Sequence, residues 1–322
     1  MLPGMTARRI LLSEYLVLLL SAAYFAAMWP FTPGLGSLEN LANILAAMLP
    51  LLVVALGQMF VLISRGIDLS VTSTIALASV VGALVMNAEN GWLPGNSLAG
   101  IAAMLAVGAL LGAANGAAIV RLRLPPFILT LTTMMFVSGF AIWLTKSKNI
   151  FGLPAAFNAI GAHALPALAV TLGVAVAAHL ALSRTLFGRW LYAVGHNERA
   201  AHISGVPVAR VTLGAYVVCG LCAAVAAVLY TGRLETGSPT MGARILLDVI
   251  GATVIGGTSL YGGKGKVLWT VFGVLFFTLI DNTLNLQNFS HFTIMMVKGA
   301  VILLAAVLDA ARHNLAGRQA NA

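Results

Sequence analysis

The feature that most constrains this chain is a series of long apolar segments that contain almost no charge. The hydrocarbon core of a bilayer is about 30 Å thick, and a helix needs roughly 20 apolar residues to cross it. Only 8% of the 322 residues are charged, whereas a soluble domain carries roughly a quarter. This composition excludes a soluble enzyme, a disordered chain and a nucleic-acid-binding domain.

The apolar segments are continuous rather than alternating, so they predict helices and not the strands of a membrane barrel. We therefore expect an all-α polytopic membrane protein with about ten transmembrane helices, in a single domain over residues 1–322. The expected spans are residues 10–29, 41–64, 69–87, 98–120, 126–145, 165–182, 211–231, 248–261, 267–286 and 292–311.

Two of these spans depart from the common pattern. The first follows Arg8 and Arg9 and could be a signal peptide, but no small-residue cleavage site follows it, so we expect an uncleaved helix. The eighth is short and is interrupted by Gly251, Gly256 and Gly257. It could form a short helix shielded by its neighbours, or a re-entrant segment, because irregular backbone at membrane depth must be buried in protein or line a cavity.

The distribution of basic residues predicts the orientation. If the N-terminus is cytoplasmic and all ten segments cross, 13 of the 18 Lys and Arg residues lie inside, four lie outside, and Lys298 lies within the last span. Positive residues concentrate on the cytoplasmic side of membrane proteins, so we expect both termini in the cytoplasm. The basic net charge then reflects topology, and it needs no nucleic-acid partner.

The sequence shows no catalytic, nucleotide-binding or metal-binding motif. A phosphate loop, a zinc-binding helix and a nucleophile elbow are all absent. The glycine-rich run at residues 256–266 lacks the spacing of a phosphate loop and is typical of a tight turn between helices. Cys219 and Cys222 lie among small apolar residues, which favours packing over redox chemistry. We expect no catalytic residue, no metal and no cofactor bound by this chain.

Two groups of polar residues within the spans are candidates for function. Uncharged side chains could bind a polyhydroxylated solute along a translocation path, or could bond helix to helix; they are Ser70, Thr72, Thr130, Thr133 and Asn282. Asp281 and Lys298 lie at similar depth on adjacent spans, so we expect a structural ion pair. A proton-coupling carboxylate at Asp281 is the alternative.

The longest charged interval is residues 183–210. Within it, residues 198–204 can form about two turns of helix, with Asn197 as the cap and with Gly205 and Pro207 as the stop. This helix could lie flat at the inner membrane surface, or it could be a docking element for a cytoplasmic motor.

Four motifs resemble the permease subunits of ABC-type sugar importers of the ribose, xylose and arabinose group, a family related to the branched-chain amino acid permeases. The motifs occur in order between about residues 40 and 310: RGIDLS at 65–70, LPPFILTL at 124–131, AVGHNERAA at 193–201 with SGV at 204–206, and VIGGTSL at 254–260.

This resemblance implies a transporter subunit of the bacterial inner membrane that is not an enzyme. It implies four partners: a second permease copy, the surrounding membrane lipid, a periplasmic sugar-binding protein, and an ATP-binding cassette subunit that binds ATP and magnesium. Residues 183–210 correspond to the cytoplasmic coupling segment that contacts the ATPase. The coupling residues that the resemblance implies are Gly195, Asn197, Glu198, Arg199, Ala201, Ser204 and Gly205. An ion- or proton-coupled secondary carrier and a membrane-embedded enzyme are the competing hypotheses.

Overall fold

The structure, a computed structural model, describes residues 15–320, of which residues 305, 306 and 308–320 are described by their backbone alone. Across these residues the chain forms 13 α-helices. They are α1 (Leu16–Met28), α2 (Leu38–Ile63), α3 (Val71–Met86), α4 (Ser97–Leu122), α5 (Pro126–Thr145), α6 (Ala155–Ala162), α7 (Ala164–Arg184), α8 (Leu186–His196), α9 (Glu198–Ile203), α10 (Val208–Leu234), α11 (Leu246–Gly256), α12 (Val267–Leu286) and α13 (His291–Ala320).

The helices confirm an all-α polytopic architecture. Six of them, α2, α4, α5, α7, α10 and α12, are long and apolar enough to cross a membrane. Each of the ten predicted spans contains a helix, although the beginning of the span 10–29 lies outside the described residues. Among the described residues, the helices α1, α3 and α11 have fewer than 18 residues, and the side chains of α13 are described only in part, so the number of crossings stays a prediction. The helices α6 and α8 were not predicted.

The most buried of the six long helices are α2 and α10. The most apolar window of α2 is 78% buried and that of α10 is 61% buried, against 22%, 17% and 22% in α4, α5 and α7. Helices that are apolar on all sides are either buried or face lipid. The helices α2 and α10 therefore lie at the core of the bundle, and α4, α5 and α7 present apolar faces outward.

Glycines bring α4 and α10 into backbone contact. Gly108, Gly112 and Gly116 recur every fourth residue on one face of α4, and Gly220 of α10 opposes the first two. A Cβ at Gly108 would overlap Gly220 O, and one at Gly112 would overlap Tyr216 O. Small residues at this spacing allow two helices in a membrane to approach closely. The backbones of α4 and α10 are so close at these glycines that no larger residue fits there.

The loops contact one another in separate groups at the two ends of the bundle. At one end, Gly263 N donates to Ile63 O at 2.9 Å, which joins the α11–α12 turn to the end of α2. At the other end, Ile150 and Gly237 exchange backbone hydrogen bonds of 2.8 and 2.9 Å, and Ala88 N donates to Gly152 O. In the topology that the basic residues predict, all the loops of one group lie on the same side of the membrane.

The eighth predicted span is a short helix with irregular backbone before it. The helix α11 has 11 residues, about 16 Å at 1.5 Å per residue, and is mostly buried. Residues 235–245, here called the broken segment, fold back from the end of α10 against α3, where Ser238 N donates to Ser79 Oγ at 3.2 Å. Of the two alternatives, the structure shows a shielded short helix, and the irregular backbone precedes it.

Candidate functional site

The coupling segment (residues 183–210) folds as two short helices, α8 and α9. The Asn197 side chain caps α9 by accepting from Ala200 N at 3.0 Å, and Gly205 follows the helix at φ +81°. This cap and this stop are where the sequence predicted them. On α9 and just after it, Ala201 is buried against the bundle, and four predicted coupling residues are exposed: Glu198, Arg199, Ser204 and Gly205.

Arg65 joins the coupling segment to the central helix α2. Its Nε donates to Gly195 O at 2.8 Å and to Tyr261 O at 3.0 Å, and its Nη2 donates to His196 O at 2.7 Å. Two of these acceptors are among the last carbonyls of α8, which have no partner within the helix and favour a cation. One guanidinium therefore connects α2, α8 and the turn between α11 and α12.

The backbone around Arg65 is adapted to this contact. Arg65 follows α2 in the left-handed region at φ 64°, a conformation that costs a non-glycine residue roughly 1–2 kcal/mol. A Cβ at Gly195 would overlap Ile63 O, and one at Gly262 would overlap Arg65 Cγ. The glycine-rich run at 256–266 is thus a close-packed turn, as predicted. We call this contact of residues 63–65, 195–196 and 261–263 the junction.

Tyr192 on α8 adds a further bond near the junction. Its hydroxyl donates to Gly265 O at 2.6 Å. A tyrosine hydroxyl is protonated near neutral pH, and burial raises the pKa of Tyr192 further above its usual value, so the hydroxyl remains a donor. The glycine-rich turn is therefore bonded to α8 as well as to α2.

Two of the predicted path residues, Ser70 and Thr133, belong to one hydrogen-bonded network. Thr133 Oγ1 donates to Asn115 Oδ1 at 2.8 Å, Asn115 Nδ2 donates to Ser70 Oγ at 2.9 Å, and Ser70 Oγ donates to Asp68 Oδ1 at 2.6 Å. Asp68, Ser70 and Asn115 are buried. This network links α4, α5 and the segment before α3, which corresponds to the helix-bonding alternative for these hydroxyls.

The other predicted path residues lie in separate places. Thr130 Oγ1 donates to Pro126 O at 2.8 Å and to Ile67 O at 3.2 Å. Thr72 is buried near the start of α3. Asn282 exchanges two amide hydrogen bonds of 2.8 and 2.9 Å with Asn40 on α2. The structure thus does not bring the five residues together around one cavity.

Lys298 lies between two carboxylates rather than one. Its Nζ is 2.5 Å from Asp281 Oδ1 and 3.0 Å from Asp248 Oδ2. The expected contact between Asp281 and Lys298 is present. Asp248 was not predicted as a partner, because it lies at the boundary of the eighth predicted span. The available signal was an acidic residue at the start of a short apolar segment. Arg65 and Asn115 also had no predicted role, although Arg65 begins the RGIDLS motif.

These features define a helical membrane protein whose central helix α2 is bonded at one end to α8, which leads into the short exposed helix α9. The chain belongs to the family described as the permease component of branched-chain amino acid transport systems, whose sequence profile matches residues 40–306. It is therefore a membrane transport component rather than an enzyme, and a secondary carrier is not favoured.

Curated relatives match nearly the whole chain. The ribose import permease protein RbsC of Escherichia coli K12 is 35% identical over 86% of this chain and 88% of the relative. The L-arabinose transport system permease protein AraH of the same strain is 36% identical over 92% and 90%. The galactose/methyl galactoside import permease protein MglC of Haemophilus influenzae is 32% identical over 93% and 94%. No solved structure matches the chain significantly.

Proposed function

We propose that this chain is the transmembrane permease subunit of an ATP-driven importer that moves a monosaccharide across the bacterial inner membrane. The observation that carries the proposal is that relatives named as ribose, arabinose and galactose permeases match it over most of both chains. Residues 1–322 form one permease domain, and residues 183–210 are its coupling segment. Ten crossings with both termini in the cytoplasm agree with the grouping of the loops.

In this proposal the energy comes from partner proteins. An ATP-binding cassette subunit holds ATP and magnesium and contacts the exposed side of α9, a periplasmic sugar-binding protein delivers the solute, and a second permease copy completes the path within the lipid. A partner shifts the permease between inward- and outward-facing states only if it binds one state better. The Arg65 junction supports coupling, because a displacement of α9 would pull on α2 and on the α11–α12 turn together.

Reconstitution in proteoliposomes tests this function. We expect the permease alone to show no uphill uptake, and the permease with its ATPase and loaded binding protein to take up the sugar only with ATP and magnesium. ATP-independent uphill uptake by this chain alone would contradict the proposal.

A matched pair of arginine variants tests the coupling route. Arg65 and Arg123 both follow a helix in the left-handed region, at φ 64° and 54°, but the exposed Arg123 side chain makes no hydrogen bond or ion pair with the described residues. Glycine relieves the backbone strain at both positions. We expect Arg65→Gly to lower ATP-driven uptake at least tenfold while the ATPase still co-purifies, and Arg123→Gly to stay within twofold of the parent. Equal uptake by the two variants would exclude this route.

A further inference from the structure

The broken segment (residues 235–245) lies deep in the bundle although it is not helical. It makes three contacts along α3: Gly237 meets Ala83, Ser238 bonds to Ser79, and Gly242 approaches Ile75. Ile75 is 11 residues from Met86 at the end of α3, which is roughly 16 Å along the axis at 1.5 Å per residue. The broken segment therefore reaches about halfway into a bilayer core of about 30 Å.

One edge of this segment is closed by protein. Besides the bond to Ser79, Thr236 Oγ1 donates to Ile150 O at 3.2 Å, and Thr231 Oγ1 donates to Ser79 Oγ at 2.7 Å. Pro239 and Met241 are buried. These contacts fix the segment against α3 and α10.

The other edge is exposed in the single chain. Thr240, Ala243 and Arg244 are exposed there, and Ser238 Oγ lies 3.3 Å from Thr240 Oγ1. Irregular backbone within the hydrocarbon region occurs only where it is buried in protein or lines a water-filled cavity. Lipid is therefore an unsuitable neighbour for this edge, which leaves a partner protein or an aqueous path, and an aqueous path would satisfy its polar groups.

A comparable interruption occurs earlier in the chain, but it is closed. A long central helix, a left-handed residue, a non-helical segment and a short helix follow one another twice, from α2 through Arg65 to α3 and from α10 through Glu235 to α11. Before α3, Asp68 and Ser70 are buried within the polar network. Short or interrupted segments at corresponding positions of two halves point to a transport site. In the first interruption the exposed Arg65 is bonded at the junction, whereas the broken segment exposes Thr240, Ala243 and Arg244 along one edge.

We propose that the exposed edge of the broken segment contacts the solute as it crosses, with the Thr240 hydroxyl and the Arg244 guanidinium bonding to sugar hydroxyls. The inference deepens the proposed function and rests on it. A hydroxyl both donates and accepts, and a guanidinium offers five donors, which suits a neutral polyhydroxylated solute. The polar side chains first considered for the path, such as Ser70 and Thr130, are buried and bonded to protein.

Cysteine labelling in the reconstituted importer tests the exposure. The native Cys219 and Cys222 are buried, so background labelling is low. Thr132 is the matched control, since it is an exposed threonine on α5 whose hydroxyl bonds to its own helix at Leu129 O. We expect a hydrophilic maleimide to label Thr240→Cys at least tenfold faster than Thr132→Cys, while a lipid-soluble maleimide labels both. Labelling of the two at equal rates by the hydrophilic reagent would overturn the proposal.

Contact with the solute is tested by measuring sugar uptake and labelling in Thr240 variants. The unmodified importer is measured first, and if it shows no ATP-driven uptake, the proposed function is contradicted. The comparison of the variants with this parent then tests the site. We expect Thr240→Val to lower uptake at least fivefold with ATP hydrolysis retained, Thr240→Ser to stay within twofold, and added sugar to slow the labelling of Thr240→Cys. Parental uptake by Thr240→Val, or labelling that the sugar leaves unchanged, would overturn the proposal.

Discussion

The ammonium group of Lys298 contacts the carboxylates of Asp248 and Asp281 where α11, α12 and α13 meet. The Lys298 and Asp248 side chains are 12% and 14% exposed, whereas the Asp281 side chain is 45% exposed. Removing one partner of a buried ion pair leaves an uncompensated charge, which is more costly than the pair is favourable. The three groups are therefore unequal in their effect on stability.

At this scale we expect Lys298→Met to destabilise the permease by about 3–5 kcal/mol, because both carboxylates lose their cation. Asp281→Asn should cost about 1 kcal/mol or less, since Lys298 keeps Asp248 and the exposed group is well solvated. Thermal unfolding of the purified protein in detergent measures both. An equal loss of stability in the two variants would contradict this assignment.

The same Asp281→Asn variant separates a structural carboxylate from a proton-coupling one. In the reconstituted importer we expect its uptake to be as insensitive to a pH gradient as that of the parent. A pH-gradient dependence that the parent shows and the variant loses would favour proton coupling instead.

Among the elements, long apolar helices follow from sequence more readily than short amphipathic ones. The continuous apolar run of α5 predicts its observed bounds, and Asn197, Gly205 and Pro207 predict α9, because caps and stops act locally. The helix α8 contains Arg189, Trp190 and Tyr192, so it lacks a spanning pattern and was treated as a loop. Contacts with α2 and with the α11–α12 turn hold it in place, and a local pattern does not report such contacts.

Some helix glycines contact a neighbouring helix and others face open space, so we expect Gly→Ala substitutions at the two kinds of position to differ in their effect on stability. We expect Gly112→Ala on α4 to destabilise the protein by about 1–3 kcal/mol through overpacking against α10. Gly139→Ala on α5, where an added Cβ meets nothing within 4 Å, should be neutral or stabilise by up to about 1 kcal/mol through helix propensity. Thermal unfolding distinguishes them, and a Gly112→Ala variant as stable as the parent would refute the close contact.

Across the whole molecule, the arrangement of polar groups was harder to predict than the fold. The distribution of charge predicted two sides, and the loops group accordingly. The path residues were chosen because hydroxyls can bind sugar, but most are buried where helices meet. The sequence does not show which side of a helix contacts another helix. The hydrogen bonds of Ser70 with Asp68 and Asn115 are therefore known only from the structure. Asp248 joined Lys298 for the same reason.

The orientation itself can be measured by labelling in intact cells. Asn149 and Ser204 are both exposed in the structure and lie on opposite sides in the ten-span topology. We expect an impermeant maleimide to label Asn149→Cys in spheroplasts, and to label Ser204→Cys only after permeabilisation. The reverse pattern would invert the topology, and labelling of both from outside would change the number of crossings.

The short helices α3 and α11 lie inside the bundle and the longer helices α4, α5 and α7 lie at its outer surface, which affects how the protein fits membranes of different thickness. Most of α3 and α11 is enclosed, whereas α4, α5 and α7, with 26, 20 and 21 residues, present the outer surface. Hydrophobic mismatch acts where acyl chains meet a helix, and a helix longer than the local core adjusts by tilting. Changes in acyl-chain length therefore act on the peripheral helices, and the interrupted segments at the centre are insulated from them.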